Sequence, residues 1–161
     1  MKLKNMLIVV KDVERSKAFY KQIFDLEVLA DYNGNVVLTE GLVLQDAAVW
    51  EELLKKEVTF NTNNAELYFE ENDMDRFIQK LEQHKEMIEY VTPFTQHTWG
   101  QRVVRFHDPD GHLIEVGESM DFVARRFLLD GMTVEETAEK TRMAFTKVEE
   151  LFHYLNASDD E

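Results

Sequence analysis

Three side chains that can bind metal ions lie close together in the segment RVVRFHDPDGHLIEVGE, residues 102–118. They are His107, His112 and Glu115. The segment predicts a β-hairpin, because two strand-like runs flank the turn sequence DPDG at 108–111. Successive side chains of a strand point to opposite faces, so His112 and Glu115 do not share a face. The three residues are therefore not expected to form one metal site.

The expected register of this hairpin decides which side chains meet. If the turn pairs His107 with His112, Val104 lies opposite Glu115, and a bulge at Gly111 could shift this register. One face then carries Arg102, Val104, Phe106, Leu113 and Glu115. The histidines fall on the other face, where an exposed cross-strand pair is more common than a ligand pair. Glu115 stands out, because a carboxylate in an apolar strand needs a partner or a chemical role.

Composition narrows the classes of function. The chain has 161 residues, 44% of them hydrophobic, which is enough for one globular domain with a small appendage. A formal net charge of -14 makes nucleic acid and anionic membranes unfavourable partners. The absence of cysteine excludes disulfides and thiolate chemistry. The apolar run MLIVV is followed at once by charged residues, so we expect no signal peptide or membrane span and a cytoplasmic location.

A strand-turn-helix unit occurs twice. The first copy starts at Asn5 and the second at Glu66, and in each copy an aspartate follows after seven positions, Asp12 and Asp73, where it would cap a helix. Three strand-like runs follow each helix. The pattern predicts an α+β domain of two βαβββ modules, residues 1–60 and 61–118, with WEELLKKEV at 50–58 as a linking helix.

Duplicated modules let equivalent positions contribute to one shared cleft. Asn5 corresponds to Glu66 in the first strands, and Gln45 corresponds to Glu115 in the last strands. All four are polar residues in apolar strands, which is unusual for a β core. We therefore expect these four side chains to face one cavity.

Two segments resemble the vicinal oxygen chelate superfamily, which includes glyoxalase I, bleomycin-resistance proteins, fosfomycin-resistance enzymes and extradiol dioxygenases. They are LIVVKDVERSKAFY at 7–20 and WGQRVVRFHDPDGHLIEVGE at 99–118. The resemblance covers roughly residues 1–118. It implies paired modules whose sheets curl around a pocket, with metal ligands on the first and last strands in metal-dependent members.

Carried over by position, the usual ligand histidines of the superfamily fall on Asn5 and Glu66, and its last-strand carboxylate falls on Glu115. Gln45 is the best match to the remaining ligand. An all-oxygen set suits magnesium or manganese better than nickel or zinc. The resemblance therefore implies no tightly held transition metal and at most a divalent ion held weakly by Glu66 and Glu115.

Two functions compete. The first is a pocket that binds a small polar molecule without a tightly held transition metal, as resistance-type members do. The second is a glyoxalase-type lyase or isomerase, in which repulsion between the carboxylates leaves Glu115 or Glu66 able to act as a general base near neutral pH. Asn5 and Gln45 would hold a substrate oxygen. The structural alternative is that each carboxylate accepts an ion pair, with Arg102 as the obvious partner of Glu115.

Further substrate-binding candidates lie near these positions. Tyr68 shares the face of Glu66 and could supply a hydroxyl, although an aromatic residue there is more often part of the wall. His97 and Trp99 precede the hairpin, where a loop could cover the pocket, although a loop histidine is more often exposed and without a role.

Residues 119–161 predict a helical extension. Gly131 would end a first helix, and capping boxes at Thr133/Glu136 and Thr146/Glu149 would start two more. The spacing resembles a helix-turn-helix with Arg142 in place of the turn glycine. The would-be recognition helix, TKVEELFHYL, carries two glutamates against one lysine, which disfavours a DNA-binding regulator, a third hypothesis. We therefore expect packing on the domain or on a second subunit of a homodimer. The last residues, 156–161, should fray.

Overall fold

The computed structural model describes residues 1–157. The eight strands of this part of the chain are β1 Met6–Val10, β2 Val28–Asp31, β3 Asn35–Leu38, β4 Leu42–Asp46, β5 Glu66–Glu70, β6 Glu89–Gln96, β7 Arg102–His107 and β8 Leu113–Gly117. The helices are α1 Val13–Phe24, α2 Ala47–Leu54, α3 Met74–Gln83, α4 Met120–Leu129, α5 Val134–Thr141 and α6 Phe145–Ala157. Of the residues expected to fray, 158–161 lie outside the described part.

Both sheets have four strands and the same order. The first runs β1-β4-β3-β2, and the second runs β5-β8-β7-β6. In the first sheet β1 lies parallel to β4, with Val9 opposite Gln45, and β3 is antiparallel to both of its neighbours. The first strand of each module thus pairs with its last strand. The predicted α+β fold of two βαβββ modules with a helical tail is confirmed.

The two module helices begin in the same way. Asp12 Oδ1 accepts a hydrogen bond from the backbone N–H of Arg15 at 3.0 Å, and Asp73 Oδ1 accepts one from Arg76 at 3.1 Å. Each cap satisfies an N–H that the first turn of a helix leaves without a partner. The apolar stripe behind each cap is buried and consists of Phe19, Tyr20, Ile23, Met74, Phe77 and Leu81.

Helix α2 lies earlier in the chain than the predicted segment 50–58. Asp46 caps it by accepting a hydrogen bond from the N–H of Val49 at 3.0 Å, so the helix starts directly after β4. It ends at Leu54, because Lys55 adopts a left-handed backbone conformation with φ 55°. The aspartate at the end of the strand therefore sets the helix start.

The described chain divides into two compact units. One contains residues 1–67, 80–89 and 106–114, and the other contains residues 68–79, 90–105 and those from 115 onward. The module boundary at 60/61 and the tail boundary at 118/119 remain predictions. None of the helices in residues 1–157 is long and apolar enough to cross a membrane.

The tail helices α4, α5 and α6 share a small core of Ala124, Leu128, Val148 and Leu151. The capping box of α5 is confirmed: Thr133 Oγ1 accepts from the N–H of Glu136 at 3.1 Å, and Glu136 Oε2 accepts from the N–H of Thr133 at 2.9 Å. The box predicted at Thr146 and Glu149 is wrong. A cap at Thr146 would start α6 at Lys147, whereas the helix starts two residues earlier, at Phe145, so Thr146 already lies inside its first turn.

A buried carboxylate attaches α4 to the second sheet. Glu118 is fully buried and accepts hydrogen bonds from Arg102 Nε at 2.8 Å, from the N–H of Arg102 at 3.0 Å and from Arg126 Nη1 at 2.6 Å. Arg126 also donates to the carbonyl of Gly100 at 2.7 Å. Burial by itself would raise the pKa of Glu118, but the hydrogen bonds from the two arginines outweigh it and hold the pKa below its usual range.

Replacing Glu118 by glutamine should remove this interaction and its pH dependence. We expect a loss of about 2–4 kcal/mol in the free energy of unfolding at pH 7, because two arginines lose a buried charged partner. A carboxylate with a lowered folded-state pKa stabilises fully above its unfolded value, about 4.3, and this contribution disappears as the pH falls through the folded value. Urea unfolding of both proteins between pH 3 and 7 measures the difference.

The matched control is Glu52→Gln, since Glu52 is exposed on α2. It should change neither the stability at pH 7 nor its acid dependence. Equal stability of the wild type and Glu118→Gln at pH 7 would show that the buried carboxylate does not hold α4.

Deleting residues 119–161 should destabilise the protein, because α4 covers apolar surface and supplies Arg126 to Glu118. Val123 and Ala124 of this helix are fully buried. We expect a lower melting temperature and aggregation or a changed oligomeric state, measured by calorimetry and size-exclusion chromatography.

The full-length protein should show no salt-sensitive binding to duplex DNA in fluorescence anisotropy. A truncated protein that stays equally stable, together with steeply salt-dependent DNA binding by the full chain, would contradict this.

Candidate functional site

The hairpin of β7 and β8 has a register one residue away from the expected one. The N–H of Asp108 donates to the carbonyl of His112 at 3.0 Å, and the N–H of Glu118 donates to the carbonyl of Arg102 at 3.1 Å. Arg105, and not Val104, therefore lies opposite Glu115. The shift arises because the turn closes between Asp108 and His112, which moves every later side chain of β8 by one position.

Glu115 forms an ion pair with Arg105. The carboxylate is buried, with 8% of the residue exposed, and the guanidinium side chain is 27% exposed. The expected pairing of Glu115 with Arg102 is wrong, because Arg102 points its guanidinium at Glu118, 2.7 Å away, and at Asp75, 3.3 Å away. The structural alternative raised for Glu115, an ion-paired carboxylate, is therefore present with a different arginine.

Tyr68 lies beside this pair on the same sheet. Its hydroxyl accepts a hydrogen bond from Gln101 Nε2 at 3.1 Å and lies 3.4 Å from the carbonyl of Glu118. Burial raises the pKa of Tyr68, and the negative charges of Glu70 and Glu115 raise it further. The phenol thus stays protonated at neutral pH and can donate or accept a hydrogen bond without acting as a base.

Gly117 gives Tyr68 and Gln101 room to meet. A Cβ on this residue would lie 3.1 Å from Gln101 Nε2 and 3.3 Å from the Tyr68 ring. Both distances are closer than ordinary van der Waals contacts, so a larger side chain would push the two apart. The glycine therefore belongs to the positioning of the tyrosine hydroxyl.

His97 and Trp99 lie in the turn between β6 and β7. Their rings stack, with centroids 4.2 Å apart and an angle of 16° between the planes. Trp99 Nε1 donates to Gln101 Oε1 at 3.1 Å, and the guanidinium of Arg142 lies 5.9 Å from the indole ring. The turn is thereby attached to the same glutamine that orients Tyr68. A role of His97 and Trp99 in substrate binding remains a prediction.

The remaining candidates lie in the other unit. Gln45 is buried in β4, where its Oε1 accepts from Asn35 Nδ2 at 2.7 Å and its Nε2 donates to the carbonyl of Gly34 at 3.2 Å. Asn5 precedes β1, Glu66 begins β5, and both are exposed. The expectation that Asn5, Gln45, Glu66 and Glu115 face one cavity remains a prediction.

The donor set does not fit a tightly bound transition metal. The Glu115 carboxylate already binds Arg105, and the Gln45 amide oxygen already accepts a hydrogen bond. A cation at Glu115 would lie next to the positive charge of Arg105, and a cation at Gln45 would compete with the Asn35 amide for the same oxygen. Among residues 1–157, His, Asp and Glu side chains form no group of three or more that is placed to hold a metal.

The histidines of the hairpin also differ from expectation. His112 Nδ1 lies 2.8 Å from Asp108 Oδ2, whereas His107 Nδ1 lies 3.7 Å from Glu89 Oε1. The predicted exposed cross-strand pair of His107 and His112 is therefore wrong. The one-residue shift of the register separates them, and each faces a different carboxylate.

Sequence reasoning missed Arg105 and Gln101. Arg105 is a charged residue in the apolar run VVRF, which is the same signal that singled out Glu115. If the turn is assumed to pair Asp108 with His112, counting outward along both strands places Arg105 opposite Glu115. Gln101 stands directly before β7 and carried no pattern of its own. Its role follows only from the contacts that Tyr68, Trp99 and Glu118 make with it.

Comparisons with known proteins place this fold. Residues 3–121 match the family model of the glyoxalase-like domain. A protein of unknown function from Agrobacterium tumefaciens is 36% identical, with a TM-score of 0.64, over 74% of this chain and 94% of that one. Lactoylglutathione lyase from the same organism is 21% identical, with a TM-score of 0.58, over 73% of this chain and 93% of that one.

A relative of known activity supports the same family assignment. The metallothiol transferase FosB of Lysinibacillus sphaericus is 23% identical over 113 residues, which are 70% of this chain and 79% of that one. Together with the family match and the two βαβββ modules, these likenesses decide the classification. The chain belongs to the glyoxalase-like domain family of the vicinal oxygen chelate superfamily.

Proposed function

We propose that this protein binds a small polar molecule at the sheet face that carries Glu115, Arg105 and Tyr68, without a tightly held transition metal. The resemblance to the members of the superfamily that bind small molecules without a metal supports this proposal. The observation that carries the proposal is the ion pair between Glu115 and Arg105, because it occupies the carboxylate that would bind a metal.

The energetic cost of placing a metal ion at the carboxylate that Arg105 binds supports this proposal. An ion that bound Glu115 would either lie beside the positive charge of Arg105 or displace the guanidinium and leave it without its partner in a largely buried position. Breaking such a pair costs roughly 3–5 kcal/mol when the remaining charge stays buried. Arg105 is 27% exposed, so solvent reduces this cost, but the metal must still offset it.

The chemistry of the same residues favours a ligand with oxygen acceptors. A guanidinium has five N–H donors in a planar fork, and one carboxylate cannot use all of them. Gln101 holds the Tyr68 hydroxyl in place, and the hydroxyl proton can turn from the carbonyl of Glu118, 3.4 Å away, to a ligand. Carbonyl, carboxylate and phosphonate oxygens are the natural complements of these groups.

The second hypothesis, a glyoxalase-type lyase or isomerase with a weakly held divalent ion, places a stricter demand on this site. Glu115 would have to take a substrate proton while it forms an ion pair with Arg105. Glu66 is exposed at the start of β5 and lies in the other compact unit. A homodimer and a cytoplasmic location also remain predictions.

Removing Arg105 should create metal affinity at Glu115. We expect the wild-type protein, purified without added metal, to contain far less than one equivalent of nickel, zinc or iron by elemental analysis. Arg105→Met should bind Mn²⁺ about tenfold more tightly than the wild type, because the free carboxylate prefers a hard cation. Electron paramagnetic resonance of free Mn²⁺ measures both affinities.

Arg76→Met is the control, since Arg76 is an exposed arginine on α3. It should leave Mn²⁺ affinity unchanged, and adding Glu115→Gln to Arg105→Met should abolish the gain. A stoichiometric transition metal in the wild type that Glu115→Gln removes would favour the metal-dependent hypothesis instead.

Oxygen-rich probes should bind this face in the presence of EDTA. Suitable probes are fosfomycin, which tests a phosphonate, and lactoylglutathione, which tests a carboxylate- and thioester-bearing ligand. We expect at least one probe to shift the NMR signals of the Arg105 Nε–H and the Gln101 side chain. Tyr68→Phe should weaken that binding by about two- to tenfold, the value of one hydrogen bond, and Arg105→Met should weaken it further.

Probe binding that appears only after Mn²⁺ is added would contradict the metal-independent proposal. Signal shifts that are insensitive to both Arg105→Met and Tyr68→Phe would place the ligand elsewhere on the protein.

A further inference from the structure

A cavity lies in the compact unit that contains the first sheet. Its volume is about 70 Å³, and its wall is formed largely by the loop 59–65. One part of the lining is apolar and consists of Met6, Ile8, Leu67 and Leu113. The other part is rich in side-chain amides and includes Asn61, Asn63 and Asn64. His112, Glu66 and Phe60 also line it. Glu115, Arg105 and Tyr68 do not, so this cavity is separate from the site proposed above.

The imidazole of His112 is held by a buried carboxylate. Asp108 Oδ2 lies 2.8 Å from His112 Nδ1 and accepts a hydrogen bond from the hydroxyl of Tyr20 at 2.9 Å. Asp108 Oδ1 accepts from the N–H groups of Asp110 and His112, both at 2.9 Å. Burial by itself would raise the pKa of Asp108, but the contacts with His112 and Tyr20 hold it below its usual range.

This network fixes the tautomer of His112. An ionised carboxylate only accepts hydrogen bonds, so Nδ1 must carry the proton that points at Asp108. In the neutral ring Nε2 is then the acceptor. The Asp108 side chain is fully buried, whereas the His112 side chain is 26% exposed. His112 lines the cavity, and because Asp108 binds Nδ1, Nε2 is the ring nitrogen left for a ligand.

The loop 59–65, which forms much of the cavity wall, packs closely against the turn between β7 and β8. The Phe60 ring meets the His112 ring edge-on, with centroids 6.4 Å apart and an angle of 71°, and the ammonium of Lys11 lies 4.5 Å from the Phe60 centroid. Gly111 has φ +84°, and a Cβ there would lie 1.7 Å from Asn61 Oδ1. Only glycine allows this approach, so turn and loop form one wall.

We propose that this cavity is a binding site for a small molecule with a hydroxyl or amine donor, which His112 Nε2 accepts, and an apolar body against Ile8 and Leu113. The size follows from the volume. An apolar cavity of about 150 Å³ holds benzene, so a cavity of half that volume takes a ligand of about three to five heavy atoms. An orienting carboxylate on Nδ1 is the arrangement that also makes a histidine a good proton acceptor.

The test compares two probes of equal size, 2-propanol and acetone, on the full-length protein labelled with ¹⁵N-histidine. Spectra that correlate ring nitrogens with ring protons are recorded at pH 8.5, well above the pH at which free imidazole loses its proton, about 6.5. We expect His112 to show the Nδ1–H tautomer. Titration with 2-propanol should shift its Nε2 signal and saturate on the order of millimolar to tens of millimolar, whereas acetone, which has no donor, should shift Nε2 little.

Three variants test the assignment. His112→Asn keeps an N–H donor for Asp108 but has no Nε2, so it should fold and lose the 2-propanol response at the Leu113 methyl groups. Leu113→Phe fills the cavity and should abolish binding while His112 keeps its tautomer. His153→Asn, at an exposed position of α6, is the control and should change nothing.

Three results would overturn the proposal. They are an Nε2–H tautomer of His112, equal shifts with 2-propanol and acetone, and no saturable shift, which would mean that the cavity holds only water. Because none of these readouts involves Glu115 or Arg105, their failure leaves the proposed function of the sheet face untouched.

Discussion

The buried carboxylate of Asp108 is the constraint on which the rest of the hairpin depends. Its two oxygens accept from Tyr20, from two backbone N–H groups of the turn and from the His112 ring. A carboxylate that is buried needs all of these donors, so the turn has one acceptable closure. That closure sets the register of β7 and β8, and the register decides that Arg105 meets Glu115 and Arg102 meets Glu118.

The register of β7 and β8 places arginines next to buried carboxylates in a strongly acidic chain. The protein has a formal net charge of -14, so cations are scarce relative to carboxylates. Two of the least exposed carboxylates, Glu115 and Glu118, nevertheless each bind arginine. Each guanidinium balances the negative charge of the carboxylate that it binds, so these buried groups are not left with an unpaired charge.

The repeated pattern around Asp12 and Asp73 was sufficient to predict both modules, since capping and apolar periodicity are local properties of a sequence. The thirteen-residue tail helix α6 was also expected, but its start was placed two residues late because Thr146 looked like a cap. The pairing of Glu115 was missed for a different reason. A strand register depends on how a turn closes, and a shift of one residue exchanges Val104 for Arg105 as the opposite residue. Gln101 and the Asp108–His112 contact depend on tertiary neighbours that no local pattern encodes.

Gln101 joins parts of the second unit that have different tasks. It donates to the Tyr68 hydroxyl and to the carbonyl of Glu118, whose carboxylate in turn holds Arg126 of α4. The Tyr68 hydroxyl and the tail helix are thus members of one hydrogen-bonded chain. Thermodynamic linkage then makes the relation reciprocal: whatever free energy a ligand on Tyr68 adds to the docking of α4, the docked helix returns as affinity for that ligand. Under the function proposed above, a helical extension attached in this way takes part in the binding equilibrium as well as covering apolar surface.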